Sequence, residues 1–189
     1  MRTDIKEFEP LTKKQIRSKI SLRLKTQKEE DRKRKSSIIK EKLFRLSVFK
    51  RAKRVMFYIS FDGEVNTQEM IKEAIKLGKI VAVPVSLGMS LIRPCRLLQK
   101  SRLVKGLHGA REPAIKRFVK LEDLDLVIVP GVAFDKSGNR LGRGKGCYDY
   151  FLRKIPKRVP SIGLAFAFQI LPFLPATNED VSVKKILFA

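Results

Sequence analysis

The chain has 189 residues, 43% of them apolar, enough for one domain with a real core. Its 42 basic and 19 acidic residues leave a formal net charge of +23, a field that draws nucleotides, polyglutamates, RNA or acidic membranes without choosing among them. The apolar runs VMFYI and LVIVPGVAF are too short to span a bilayer, and the N-terminus carries no apolar signal region.

Two cysteines, Cys95 and Cys147, lie 52 residues apart with no CxxC, which argues against a disulfide framework or zinc ribbon and for a reducing cytoplasm. The single histidine, His108, argues against a His-based metal centre and reads as a surface or structural residue.

Residues 11–27 predict a helix, with Thr12 and Gln15 at capping-box spacing and Ile16, Ile20 and Leu24 recurring every fourth residue. Residues 28–50 predict a second, with Ile39, Leu43 and Leu46 on one face. Together residues 1–54 hold 20 basic and 7 acidic side chains, so the charge excess concentrates there. The RKRK run at 32–35 reads as a solvated helix face or a nucleic-acid patch.

After residue 52 the texture changes. Residues 54–60 predict a buried strand, and residues 66–78 a helix capped by Asn66 or Thr67 and closed by Gly78. Further strands are expected over 79–85, 89–97, 125–131, 160–166 and 183–188, with a helix over 147–155. Apolar strands alternating with helices predict an α/β fold: three layers, a mainly parallel sheet with helices on both faces, and a helical N-terminal extension. One domain over 1–189 is expected, with a basic helical segment over 1–50 and an α/β core over 51–189.

Between Lys136 and Gly146 the chain packs four glycines and four basic residues. It is not a P-loop, because five residues rather than four separate Gly138 from Gly144 and Gly146 stands where Ser or Thr should follow Lys145. Nor is it a dinucleotide fingerprint, since Gly142, Gly144 and Gly146 read GxGxG well beyond the strand. Alternate glycines can still turn successive backbone amides onto one anion, with Arg140, Arg143 and Lys145 adding charge and a following helix adding its dipole. Asp149 on that helix's first turn suits a magnesium ion. The residues alone fit a flexible basic surface loop equally well.

The ordered run VPGVAFDKSGNRLGRGKGCYDYFL resembles the signature of the 5-formyltetrahydrofolate cyclo-ligase family. FYISFDGEVNTQEMI, HGAREP, LPATNEDVSV and KKQIRSKI are similar to its other motifs, in order along nearly the whole chain. The resemblance implies ATP-dependent conversion of 5-formyltetrahydrofolate to 5,10-methenyltetrahydrofolate with magnesium, in the cytoplasm, by a monomer that needs neither membrane nor nucleic acid.

It also implies the site. Lys13, Arg17, Arg140, Leu141, Gly142, Arg143, Gly144, Lys145, Gly146, Cys147 and Tyr148 would bind ATP. Ile59, Glu64 and the stretch Arg143, Gly144, Lys145, Gly146 and Cys147 would bind the folate, possibly as its polyglutamate. Lys145 and Arg143 would be the catalytic cations, Asp149 and Asp180 the magnesium carboxylates, and Glu112 with Pro113 would shape a nearby loop. The chain departs from the family pattern at Cys147, where a tyrosine is usual, at Glu179, where a histidine is usual, and at Lys184, where an acid is common. Alternatives are a basic nucleic-acid-binding module, a non-catalytic family member, or another ATP-dependent transferase on the same fold.

Overall fold

Thr12 starts the first helix with both halves of the expected capping box: its hydroxyl accepts from the Gln15 amide at 3.3 Å, and Gln15 Oε1 accepts from the Thr12 amide at 2.8 Å. That helix, α1, is Lys13–Thr26, and Ile16, Ile20 and Leu24 are its buried stripe. The computed structural model describes residues 11–107 and 109–189. His108 and residues 1–10, Phe8 among them, lie outside the described residues.

The second expected helix is two. α2 is Glu29–Arg45 and α3 is Ser47–Arg51, separated by Leu46 in extended backbone. An unbroken helix would carry Phe49 about 120° around from Leu43. The break instead turns Phe49 inward, where it is 1% exposed and its ring centroid lies 4.3 Å from that of Phe44.

β1, Arg54–Met56, leads to α4, Gln68–Lys76, then β2, Ile80–Ser86, and β3, Ile92–Leu97. Thr67 takes the N-cap position of α4, but its hydroxyl donates to the Tyr58 carbonyl at 2.6 Å, and Asn66 Oδ1 accepts from the Gln68 amide at 3.0 Å instead. A hairpin follows, of β4, Leu103–Lys105, and β5, Arg111–Pro113. Next come β6, Leu126–Val129, β7, Ala133–Asp135, and β8, Arg140–Leu141. The chain closes with α5, Cys147–Lys154, then β9, Ser161–Ala165, β10, Ile170–Leu171, and β11, Lys185–Phe188.

The main sheet has the order β11-β9-β6-β1-β2-β3 and is parallel except at β3. The link over 87–91 is too short for a crossover, so β3 must return antiparallel to β2. Alternation along the strands builds the two faces. Val55, Leu126, Ile128 and Ile162 pack under the helices α1 to α4, while Met56, Val127 and Val129 pack with Phe151 and Leu152 of α5. The expected three layers are present. Both cysteines are free thiols, Cys95 buried and Cys147 half-buried. No helix among the described residues is long and apolar enough to cross a membrane.

Candidate active site

From β1 the chain moves outward through β2 and β3, then returns to the other side of β1 to lay down β6, β9 and β11. Connections therefore leave the adjacent strands β1 and β6 in opposite directions. In such sheets the crevice outside the strand ends at this switch point is where ligands bind.

The exit of β1 supplies Tyr58, Ile59 and the turn to Glu64; the exit of β6 supplies Pro130 to Val132. Gly131 is needed there because a Cβ would stand 2.5 Å from the Phe134 ring. The small β7–β8 hairpin then projects the glycine-rich loop over the crevice. Asp135, 2% exposed, fixes its base by accepting from the Ser137 amide at 2.9 Å, the Asn139 amide at 3.0 Å, Asn139 Nδ2 at 2.9 Å and the Leu174 amide at 3.1 Å. At the far end Gly146, at φ +64°, turns the loop into α5 and aims that helix's amides at the crevice.

The result is a cleft of about 370 Å³. Every site residue singled out in the sequence lines it, from Lys13 and Arg17 on α1, through Ile59, Glu64 and the loop Arg140 to Asp149, to Asp180. Lys13 Nζ donates to Asp180 Oδ2 at 2.5 Å across 167 positions of sequence, and Arg17 Nε donates to the Gly142 carbonyl at 2.9 Å. Thus α1 roofs the cleft and grips both the loop and the acidic segment.

Within the loop the cations have different surroundings. Arg140 is 6% exposed; its Nη2 donates to Asp149 Oδ1 at 2.8 Å, and the Val181 amide donates to the same oxygen at 3.2 Å. The Arg143 guanidinium donates to Asp62 Oδ2 at 2.8 Å and to Glu64 Oε1 at 3.2 Å, and lies 4.3 Å above the Phe61 ring. Lys145 lines the cleft, and its carbonyl accepts from Ser90 Oγ at 2.8 Å.

Burial pushes the Glu64 carboxyl above the ordinary range despite the Arg143 guanidinium beside it. Burial is the largest influence on Asp62 and Asp180, but Arg143 with Lys25 at Asp62, and Lys13 with Thr177 at Asp180, together outweigh it and hold both carboxyls below their usual values. The Cys147 thiol is raised by burial, so it is protonated at neutral pH and no activated nucleophile. Tyr148 is raised further by burial, and its buried hydroxyl has no hydrogen-bond partner among the described residues.

Sequence reasoning missed Tyr58, Phe61 and Asp62. Tyr58 reads as core, and nothing local signals that Phe61 and Asp62 face a loop some 80 residues on. Glu112 lies on a strand, β5, and shapes its neighbourhood by accepting from the Ser86 amide at 2.9 Å and filling the space over Gly106. As the one acid among nine basic residues over 87–120, it was visible as an anomaly.

A doubly wound sheet with a cation-lined crevice at its switch point, overhung by a glycine-rich loop, defines the protein as one of the α/β class. More narrowly, the profile of the 5-formyltetrahydrofolate cyclo-ligase family matches residues 10–189, and the chain belongs to that family. It is 31% identical over 188 residues to the mouse 5-formyltetrahydrofolate cyclo-ligase, covering 93% of each chain. It is 34% identical over 144 residues to the enzyme of that name from Haemophilus influenzae, covering 73% of this chain and 76% of that one. The solved structure of Aquifex aeolicus 5,10-methenyltetrahydrofolate synthetase superposes with a TM-score of 0.83 at 33% identity, covering 94% of this chain and 90% of that one.

Proposed function

We propose that this chain is a cytoplasmic, monomeric 5-formyltetrahydrofolate cyclo-ligase that uses ATP to form 5,10-methenyltetrahydrofolate, ADP and phosphate. The observation that carries the reading is the meeting of α1, the glycine-rich loop and the β1 exit around one cleft, within a chain of this family.

The chemistry suits these residues. A formamide oxygen is a poor leaving group. Attack by that oxygen on the γ-phosphorus of ATP releases ADP and gives an imidate-like phosphate. N10 then adds to the activated carbon, phosphate departs with the oxygen, and loss of the N10 proton completes the methenyl bridge. Such a step asks for positioning and charge stabilisation rather than many proton-transfer groups.

In this reading the loop from Arg140 to Tyr148 wraps the nucleotide, the amides at the start of α5 face its phosphates, and Lys13 and Arg17 close over it. Lys145 and Arg143 offset the charge that develops on the moving phosphoryl group. Glu64 and Ile59 hold the pterin. Asp149 and Asp180 fit a magnesium ion as far as their free oxygens go: Asp149 Oδ2 and Asp180 Oδ1 accept no hydrogen bond among the described residues. A cation held by two carboxylates would complete its shell with phosphate oxygens and water and neutralise the phosphates. The cations around the cleft mouth also suit a polyglutamylated folate.

The test is absorbance at the methenyltetrahydrofolate band after mixing protein, magnesium, ATP and 5-formyltetrahydrofolate, with Lys145→Ala alongside. A rise that requires ATP and is lost in the variant supports the proposal. A flat trace from folded wild-type protein would remove it.

A further inference from the structure

A second cavity, of about 320 Å³, lies between α5 and the β3 edge. Its walls are apolar: Ile92 and Phe151, both buried, with Val119, Leu121 and the Tyr150 ring. Three cations also line it, Arg93, Lys120 and Lys154, against a single acid, Glu122.

None of these three cations forms an ion pair with the described residues. The Arg93 guanidinium rests 4.2 Å over the Phe118 ring, and the Lys154 ammonium 4.2 Å over the Tyr150 ring. Glu122 does not neutralise them either. Its backbone carbonyl accepts from Arg158, but its carboxylate makes no ion pair among the described residues. The surrounding chain deepens the imbalance, because residues 87–120 hold nine basic side chains and only one acid, the buried Glu112. Such a concave, low-dielectric, positive surface concentrates anions.

We propose that this cavity is a second binding site, for a small organic anion with a flat apolar body. A bare phosphate would leave the apolar walls unused, and a neutral hydrocarbon would leave three cations unanswered. A flat ring carrying a carboxylate, sulfonate or phosphate uses both, lying along Tyr150 and Phe151 with its charge toward Lys120 and Lys154. The volume falls at the lower end of that of ordinary small-molecule sites. The site is not an extension of the cleft. α5 turns Tyr148 and Asp149 toward the cleft and Tyr150 and Phe151 toward the cavity, and only Ile92 borders both.

The experiment is a fluorescence titration of the full chain with 8-anilinonaphthalene-1-sulfonate, repeated with the neutral N-phenyl-1-naphthylamine, and run with and without saturating ATP. The expected result is saturable binding of one sulfonate probe per chain, unaffected by ATP. The double variant Lys120→Glu/Lys154→Glu should weaken it at least tenfold, and the neutral analogue should bind at least tenfold more weakly. Activity without probe should be unchanged. Should the double variant fail to fold by circular dichroism, Lys154→Met takes its place, with threefold weakening or more expected. Displacement by ATP, equal binding of the neutral analogue, or unchanged affinity in the charge variants would each overturn the site.

Discussion

Arg140 and Arg143 stand three positions apart in one loop, yet the fold treats them differently. Arg140 lies under the loop with its side chain 3% exposed and paired to Asp149. Arg143 lies above it with its side chain 36% exposed, shared between Asp62, Glu64 and the face of Phe61. The first belongs to the half of the loop that Asp135 and β8 make rigid; the second belongs to the half, from Gly142 to Gly146, that lines the cleft. A buried ion pair tolerates the loss of neither partner, because the survivor is left desolvated and uncompensated. An exposed pair can exchange partners at small cost. The same residue type is therefore buried in the scaffold at one position and half-exposed at the cleft at the other.

The largest expected effect separates those halves. Lys145→Ala should lower kcat by about 10²–10³-fold, the usual cost of removing one preorganised electrostatic group, while leaving the melting temperature unchanged. Asp135→Ala should do the reverse. It strands three backbone amides, that of Leu174 buried and those of Ser137 and Asn139 part-buried, and one side-chain donor, and should cost about 3 kcal/mol by urea denaturation, with kcat of the folded fraction nearly intact.

A smaller effect is expected from Arg143→Lys, which keeps the charge but loses the fork that reaches Asp62 and Glu64 together. It should raise the KM for 5-formyltetrahydrofolate about tenfold, a loss of about 1.4 kcal/mol, and change the KM for ATP less.

The smallest concerns Glu64. Its folded carboxyl binds a proton more tightly than in the unfolded chain, so its contribution to stability is full below the unfolded value of 4.5 and is lost as pH rises through the raised folded value. In urea titrations of ligand-free protein, stability should fall over that window. Glu64→Gln should flatten the fall, and an unchanged slope would show that the Arg143 contact governs the carboxyl instead.

Much of this was legible in the sequence because it is written locally. The capping box at Thr12 and Gln15, the apolar strands, and the glycine run with its basic residues are all short-range signals. They gave three layers and the loop that covers the cleft, whereas Lys13, Arg17, Ile59, Glu64 and Asp180 were reached only through the family resemblance. What escaped depends on contacts distant in sequence. The break at Leu46 follows from where Phe49 must go, which the helical period of residues 28–50 does not contain. The burial of Arg140 against Asp149 depends on the fold, and Asp62 and Phe61 acquired their place only when Arg143 arrived from across the cleft.

The seat of α1 carries one further consequence. The Leu24 carbonyl presses on Gly63, where a Cβ would stand 2.1 Å from its oxygen, and Gln27 Nε2 ties the two turns by donating to the carbonyls of Leu24 and Gly63 at 3.0 and 2.8 Å. A single methyl group at Gly63 would wedge α1 away from the sheet and withdraw Lys13 and Arg17 together. Gly63→Ala is thus expected to behave as a conditional allele: active in the cold, and losing affinity for ATP on warming, well before circular dichroism reports that the sheet has melted.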